Sequence, residues 1–126
     1  MATILVVEDD KLLGREISST LTDGGYAVVW IKGSEELEAT LAANNFQLIY
    51  LDIMLPGPKD GYQILADLKA SDLYKQIPIV MLSNLGQIAE MERALQLGAK
   101  DYLIKANIDL DKLTELTQTK YLQLEA

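Results

Sequence analysis

Short apolar runs alternate with longer amphipathic stretches along this chain, and that alternation limits the folds open to it. The runs are rich in Val, Ile and Leu and are separated by Gly, Asn, Asp or Pro, as β-strands are. They lie at residues 3–7, 26–31, 46–51, 79–82 and 101–104. Strands that are apolar throughout are typical of a parallel sheet covered on both faces. Five strand–helix units with right-handed crossovers therefore predict an α/β fold built on a doubly wound parallel sheet.

The stretches between the strands carry apolar residues at helical spacing. The first, at residues 11–22, repeats them every three or four positions and stops at an Asp-Gly-Gly sequence. Ser34 has the residue type and position of an N-cap for the second helix. The last helix is predicted from about residue 108 to 121, with Leu124 continuing its apolar face.

The composition excludes several kinds of chemistry. The 126 residues include no cysteine and no histidine, which rules out thiol catalysis, Ser-His-Asp triads and imidazole metal sites. A net charge of −8 disfavours direct binding to nucleic acid. No apolar run approaches the length of a membrane span, and the N-terminus does not resemble a signal peptide. We therefore expect one cytoplasmic domain, residues 1–126, that binds neither nucleic acid nor membrane.

Polar residues follow four of the five predicted strands at their carboxyl ends. These residues are Glu8, Asp9 and Asp10 after strand one, Asp52 after strand three, Ser83 after strand four and Lys105 after strand five. In doubly wound sheets, ligands bind beyond the carboxyl ends of the strands. The sequence therefore predicts one pocket that contains carboxylates, a hydroxyl and a lysine.

That set of groups suits a divalent cation and a phosphoryl group. Clustered carboxylates repel one another unless a cation lies between them, and Mg²⁺ prefers oxygen ligands and bridges to phosphate. Asp52 can attack a phosphoryl donor and form an acyl phosphate, which Ser83 and Lys105 can then bind. Taken singly, each residue has a structural explanation: Asp10, for example, fits a helix cap. The combination at four strand ends favours function.

The chain resembles the receiver domain of bacterial two-component response regulators, of the kind found in chemotaxis regulators. The matching segments are ILVVEDD at 4–10, LDIMLPG at 51–57, DGY at 60–62, IVMLS at 79–83 and GAKDYLIK at 98–105. The resemblance implies a flavodoxin-like fold with strand order 2-1-3-4-5. It also implies a switch that a sensor histidine kinase or phosphotransfer protein phosphorylates with Mg²⁺, and that acts on a downstream protein.

The same resemblance implies a role for each site residue. Asp52 corresponds to the phosphoacceptor, Ser83 and Lys105 to the groups that bind the phosphoryl oxygens, and Ser83 and Tyr102 to the switch pair. Glu8, Asp9, Asp52 and the backbone carbonyl of Met54 correspond to the metal site. Phosphorylation is then expected to change the surface formed by helix four, strand five and helix five. Such a chain catalyses its own phosphoryl transfer and slow self-dephosphorylation without being a metabolic enzyme.

Several positions depart from the family pattern. Ala106 replaces the usual proline after Lys105, Asn84 replaces a smaller residue, and the loop that contains Lys59 is one residue longer. Apolar Met54 and Leu85 are expected to hinder attack by water on the phosphorylated aspartate. One alternative is a degenerate receiver that binds partners without phosphorylation. Others are an aspartyl phosphohydrolase, which lacks a second acid and a cap here, and a flavodoxin-like cofactor binder, whose phosphate the acidic residues would repel.

Overall fold

The computed structural model describes residues 2–84 and 86–122. Over these residues five parallel strands alternate with five α-helices. The strands are β1 (Thr3–Val7), β2 (Ala27–Ile31), β3 (Leu48–Asp52), β4 (Ile79–Ser83) and β5 (Asp101–Ile104). The helices are α1 (Lys11–Asp23), α2 (Leu37–Ala43), α3 (Gly61–Ala70), α4 (Ile88–Gln96) and α5 (Leu110–Leu116). The predicted alternation is confirmed.

The strands pair in the order β2-β1-β3-β4-β5. All four pairings are parallel, so the carboxyl ends of the strands lie along one edge of the sheet. The strand order reverses between β1 and β3, and ligands bind at that point in such sheets. The predicted topology is therefore confirmed, and it places the ends of β1, β3 and β4 side by side.

The core has two layers because successive strand residues point to opposite faces of the sheet. One layer lies against α2, α3 and α4 and includes Leu5, Leu51 and Met81. The other lies against α1 and α5 and includes Val6 and Tyr50. Both faces of the central strands are thus covered, which explains why their sequences are apolar throughout. No helix within residues 2–84 or 86–122 has the length and apolar character needed to cross a lipid bilayer.

The boundaries of three strands differ from the prediction. Tyr26 and Phe46 are buried, but β2 begins at Ala27 and β3 at Leu48. An aromatic residue makes a segment more hydrophobic whether or not its backbone pairs with a neighbouring strand. The apolar pattern therefore cannot distinguish a paired residue from one that is only buried. At their other ends, β3 and β4 each include one more residue than predicted, Asp52 and Ser83.

One prediction about a helix end was wrong, and another was shifted by two residues. Ser34 opens a short 3₁₀ turn, Ser34–Glu36, and its side chain does not cap α2. The last helix starts later than predicted, at Leu110, and changes to a π-helical turn at Thr117–Tyr121.

Polar contacts fix this π-helical turn to the sheet. The hydroxyl oxygens of Tyr50 and Thr117 are 2.6 Å apart, and the Tyr121 hydroxyl donates to Asp101 Oδ2 at 2.7 Å. Such tertiary contacts hold a backbone geometry that local sequence does not favour. Leu124, predicted to extend the apolar face of this helix, lies outside the described residues.

Candidate functional site

The polar residues predicted at the strand ends come together at the switch in strand order. Glu8 directly follows β1, Asp52 is the last residue of β3, and Ser83 is the last residue of β4. Glu8, Asp52 and Ser83 are buried to at least 99%. Lys105 follows β5 in a 3₁₀ turn, Lys105–Asn107, and its side chain is 12% exposed. Charged groups are rarely buried to this extent without a partner, so these residues are expected to pair with one another.

Lys105 pairs with two buried carboxylates at once. Its Nζ lies 2.6 Å from Glu8 Oε1 and 3.1 Å from Asp52 Oδ1. Burial alone would lower the pKa of Lys105, but the hydrogen bond to Glu8 and the charges of Asp52 and Glu8 outweigh it and raise that pKa. One ammonium therefore serves two acids, which leaves the site short of positive charge.

Asp52 shows the effect of that shortage. Its Oδ1 accepts a hydrogen bond from the Met54 backbone N–H at 3.2 Å, whereas Oδ2 is buried and receives no hydrogen bond from any described residue. Burial, followed by the neighbouring carboxyl groups of Glu8 and Asp9, raises the pKa of Asp52 to about 8, and Lys105 offsets only part of this rise. Asp52 is thus a desolvated carboxyl group with one oxygen available to a ligand.

Three carboxyl groups of the site lie close enough to share a cation. Oxygen atoms of Glu8, Asp9 and Asp52 all lie within 4.8 Å of one another, and Asp9 is exposed while the other two are buried. An all-oxygen donor set fits a hard divalent cation. Oδ2 of Asp52 is buried and receives no hydrogen bond from the described residues, and a bound cation would satisfy it. The residues present therefore fit the metal that the sequence predicts.

The loop after β1 is held by its own hydrogen bonds. Asp10 caps α1, because its side chain accepts from the N–H groups of Leu12 and Leu13, so its structural explanation is confirmed. The Asp10 N–H in turn donates to Glu8 Oε2 at 3.1 Å. The indole N–H of Trp30 donates to the Glu8 carbonyl at 2.8 Å. Trp30 was not among the residues predicted from the sequence, although an isolated glycine inside α1, at Gly14, is a signal of close packing.

Helix α3 begins against the backbone of Asp52. A Cβ atom on Gly61 would lie 2.2 Å from the Asp52 carbonyl oxygen and 2.6 Å from Ile53 Cα, so only glycine fits. Asp60 caps this helix and forms a capping box with Gln63. The Asp60-Gly61 pair thus sets the end of β3 and the start of α3 relative to each other.

The predicted switch residues occupy buried positions. Tyr102 lies in β5 with 5% exposure and packs in the layer against α2, α3 and α4, so its ring points inward.

The described residues include no cis peptide bond, so the Lys105–Ala106 bond is trans. Lys59 forms an ion pair with Asp67 of α3, which agrees with a surface lysine. Met54 is 66% exposed, whereas Leu85 lies outside the residues that the structure describes.

Sequence comparisons identify relatives of this chain. The sequence model of the response regulator receiver domain matches residues 4–118. The response regulator protein FleR of Pseudomonas aeruginosa is 34% identical over 104 residues, which make up 82% of this chain and 21% of FleR. The chain spans under half the length of the other curated relatives compared with it.

Solved structures of response regulators share the fold over nearly the whole chain. The Mn²⁺-bound form of response regulator Rcp1 matches with a TM-score of 0.83 and 26% identity, over 100% of this chain and 98% of that one. The phosphorylated cyanobacterial phytochrome response regulator RcpA matches with a TM-score of 0.83 and 27% identity, over 98% and 96% of the two chains. The doubly wound sheet predicted from the sequence is therefore that of its relatives.

Proposed function

This chain belongs to the response regulator receiver domain family, and on that premise we propose that Asp52 accepts a phosphoryl group from a partner protein. The observation that carries the proposal is the setting of Asp52. It ends the central strand β3 and has one oxygen paired with Lys105, while its other oxygen is buried and receives no hydrogen bond from the residues that the structure describes. In the transfer, a carboxylate oxygen attacks phosphorus, an O–P bond forms, and the bond between phosphorus and the donor breaks.

The carboxyl groups of Glu8, Asp9 and Asp52, with the backbone carbonyl of Met54, are proposed to hold Mg²⁺. When bound, Mg²⁺ supplies positive charge that neutralises the phosphoryl oxygens. Asp52 attacks in its ionised form, and added positive charge favours that form over the protonated one. Lys105, already 3.1 Å from Asp52, is placed to bind a phosphoryl oxygen once the group is transferred.

Ser83 and Tyr102 are proposed to transmit phosphorylation to the surface. Ser83 follows Leu82, which pairs in register with Asp52, and its hydroxyl is proposed to bind a phosphoryl group on Asp52. Tyr102 of β5 pairs in register with Met81, which lies two residues before Ser83 in β4. The backbone of β4 therefore connects Ser83 with Tyr102. A change in Tyr102 would alter the face formed by α4, β5 and α5. Phosphorylation then shifts an existing equilibrium because it binds one state better.

The phosphodonor is proposed to be a sensor histidine kinase or a phosphotransfer protein, and the output an unidentified protein target. The receiver domain is proposed to extend over residues 1–126, and a cytoplasmic location is part of this proposal. The net charge of −8 supports a protein target over direct contact with nucleic acid.

The test is incubation with Mg²⁺ and acetyl phosphate, followed by measurement of the intact mass. We expect one phosphoryl adduct on the wild-type protein and none on Asp52→Ala. Asp10→Ala is the matched control, because Asp10 is a neighbouring carboxylate that caps a helix. It should form the adduct as the wild type does. A wild-type protein that gains no adduct, or an adduct that survives Asp52→Ala, would contradict the proposal.

The lifetime of that adduct should depend on Met54. Its exposed side chain lies two residues after Asp52, where it is expected to hinder the approach of water along the line of the O–P bond. We expect Met54→Asn to lose phosphate severalfold faster than the wild type in a decay time course. Leu73→Asn changes an apolar side chain exposed far from the site and should decay at the wild-type rate. Equal decay of Met54→Asn and the wild type would show that Met54 has no such role.

A further inference from the structure

Trp30 connects the edge strand β2 to the loop that carries the acidic residues. Its ring packs against α1 at Gly14, where a Cβ atom would be 2.3 Å from ring carbons Cε2 and Cζ2. The missing side chain of Gly14 is therefore what lets the indole reach past the helix. From that position the indole N–H donates to the carbonyl oxygen of Glu8 at 2.8 Å.

Strand β2 holds Glu8 through both of its backbone groups. The Glu8 N–H donates to the Ile31 carbonyl at 3.0 Å, and the Glu8 carbonyl accepts from Trp30. The Glu8 carbonyl belongs to the peptide plane shared with Asp9, so its direction sets the direction in which Asp9 leaves the strand. Asp9 is the exposed member of the carboxylate group, whereas burial restrains Glu8 and Asp52.

We propose that Trp30 is a positioning residue, whose indole N–H orients the Glu8–Asp9 peptide so that the Asp9 carboxylate faces the cation site. This inference rests on the Mg²⁺ site of the proposed function and adds a residue outside it. A phenylalanine at this position would fill most of the same space but would donate no hydrogen bond. The nitrogen, and not the ring as a whole, is therefore the part that acts on the site.

Loss of this hydrogen bond should weaken Mg²⁺ binding without destroying the fold. A single hydrogen bond of this type corresponds to about a three- to tenfold change in an equilibrium constant. By linkage, Mg²⁺ should strengthen the indole hydrogen bond by the same factor. Trp30 is the one tryptophan of the chain, so its indole N–H gives a single resonance in NMR spectra.

The experiment titrates Mg²⁺ into the full chain and measures its affinity by calorimetry. We expect Trp30→Phe to bind Mg²⁺ about three- to tenfold more weakly than the wild type. Gly14→Ala should have a similar effect, because its methyl group displaces the indole while α1 keeps a good helix former. Ile17→Val is the control: it trims the buried face of the same helix, and its Mg²⁺ affinity should equal that of the wild type.

Hydrogen exchange of the wild-type indole N–H provides a second measurement. It should slow on addition of Mg²⁺, which a purely structural role of Trp30 would not produce. Unchanged Mg²⁺ affinity in Trp30→Phe and Gly14→Ala would overturn the positioning role while leaving the Mg²⁺ site intact. An equal loss of affinity in Ile17→Val would overturn it too. A wild-type protein that binds no Mg²⁺ would overturn this inference together with the cation site, although the adduct on Asp52 would still test the phosphoacceptor separately.

Discussion

Replacing Lys105 with methionine should lower the free energy of unfolding by about 3 kcal/mol at pH 8 without metal, because two buried carboxylates lose their shared cation. Methionine keeps much of the length of the side chain, so the change isolates the charge. Denaturant unfolding, with equal slopes for the two proteins, would give the difference. Lys59→Met is the matched control, since Lys59 pairs with Asp67 at the surface and its loss should cost under about 1 kcal/mol.

The effect of Lys105→Met should also depend on pH. The pKa of Lys105 is raised, so its stabilising contribution is complete at pH values below its ordinary pKa of 10.5 and is lost only as the pH rises through the raised value. Lysine therefore stays charged between pH 5 and pH 8. At pH 5 a proton neutralises Asp52, whose pKa is raised to about 8, so the loss of stability should be smaller there. An equal loss at both pH values, or one no larger than that of Lys59→Met, would contradict this account of the site.

Replacing Asp52 with asparagine should stabilise the protein at pH 8, by about 2–4 kcal/mol in the absence of metal. The pKa of Asp52 is raised from 3.8 to about 8, so the folded state keeps a proton that the unfolded state releases. Wild-type stability therefore falls as the pH rises from about 4 to about 8, and asparagine removes that loss. The expected gain is less than the full pKa shift implies, because the amide is itself a polar group that must be buried.

Unfolding curves at pH 4 and pH 8, with and without Mg²⁺, would test this prediction. At pH 4 the two proteins should differ little, because Asp52 is protonated in the folded state there. Mg²⁺ should stabilise the wild type at pH 8 and so narrow the gap. Asp10→Asn removes an exposed carboxylate from the same end of the sheet and should change stability by less than about 0.5 kcal/mol. A less stable Asp52→Asn protein at pH 8 would contradict the raised pKa.

The spacing of apolar residues was enough to predict most of the fold, and the polar residues after the strands were enough to locate the candidate site. Continuous apolar runs located all five strands, because both faces of a central parallel strand are buried. The starts of β2 and β3 were misplaced because Tyr26 and Phe46 are buried without pairing in the sheet. The π-helical turn at Thr117–Tyr121 was out of reach, since it depends on contacts with Tyr50 and Asp101 that are distant in sequence.

The positions of the candidate site residues at the strand ends could be predicted from the sequence, but their contacts could not. The topology brings the carboxyl ends of β1, β3 and β4 together, so Glu8, Asp52 and Ser83 lie at the same edge of the sheet. Which acid Lys105 would pair with was not predictable, because a four-carbon side chain reaches either. Trp30 was missed because its hydrogen bond to Glu8 crosses between strands, and no periodicity in the sequence encodes such a bond.

The close contact between Gly61 and the Asp52 backbone has a consequence for how substitutions in this chain are read. Gly61 carries no reactive group, yet any side chain there would collide with the backbone carbonyl of Asp52. Its intolerance of substitution would match that of a reacting residue, although the cause is steric. A survey of tolerated substitutions would therefore find more intolerant positions around the site than there are reacting residues. Gly61 would be one of them, because it is constrained by steric exclusion and not by reactivity.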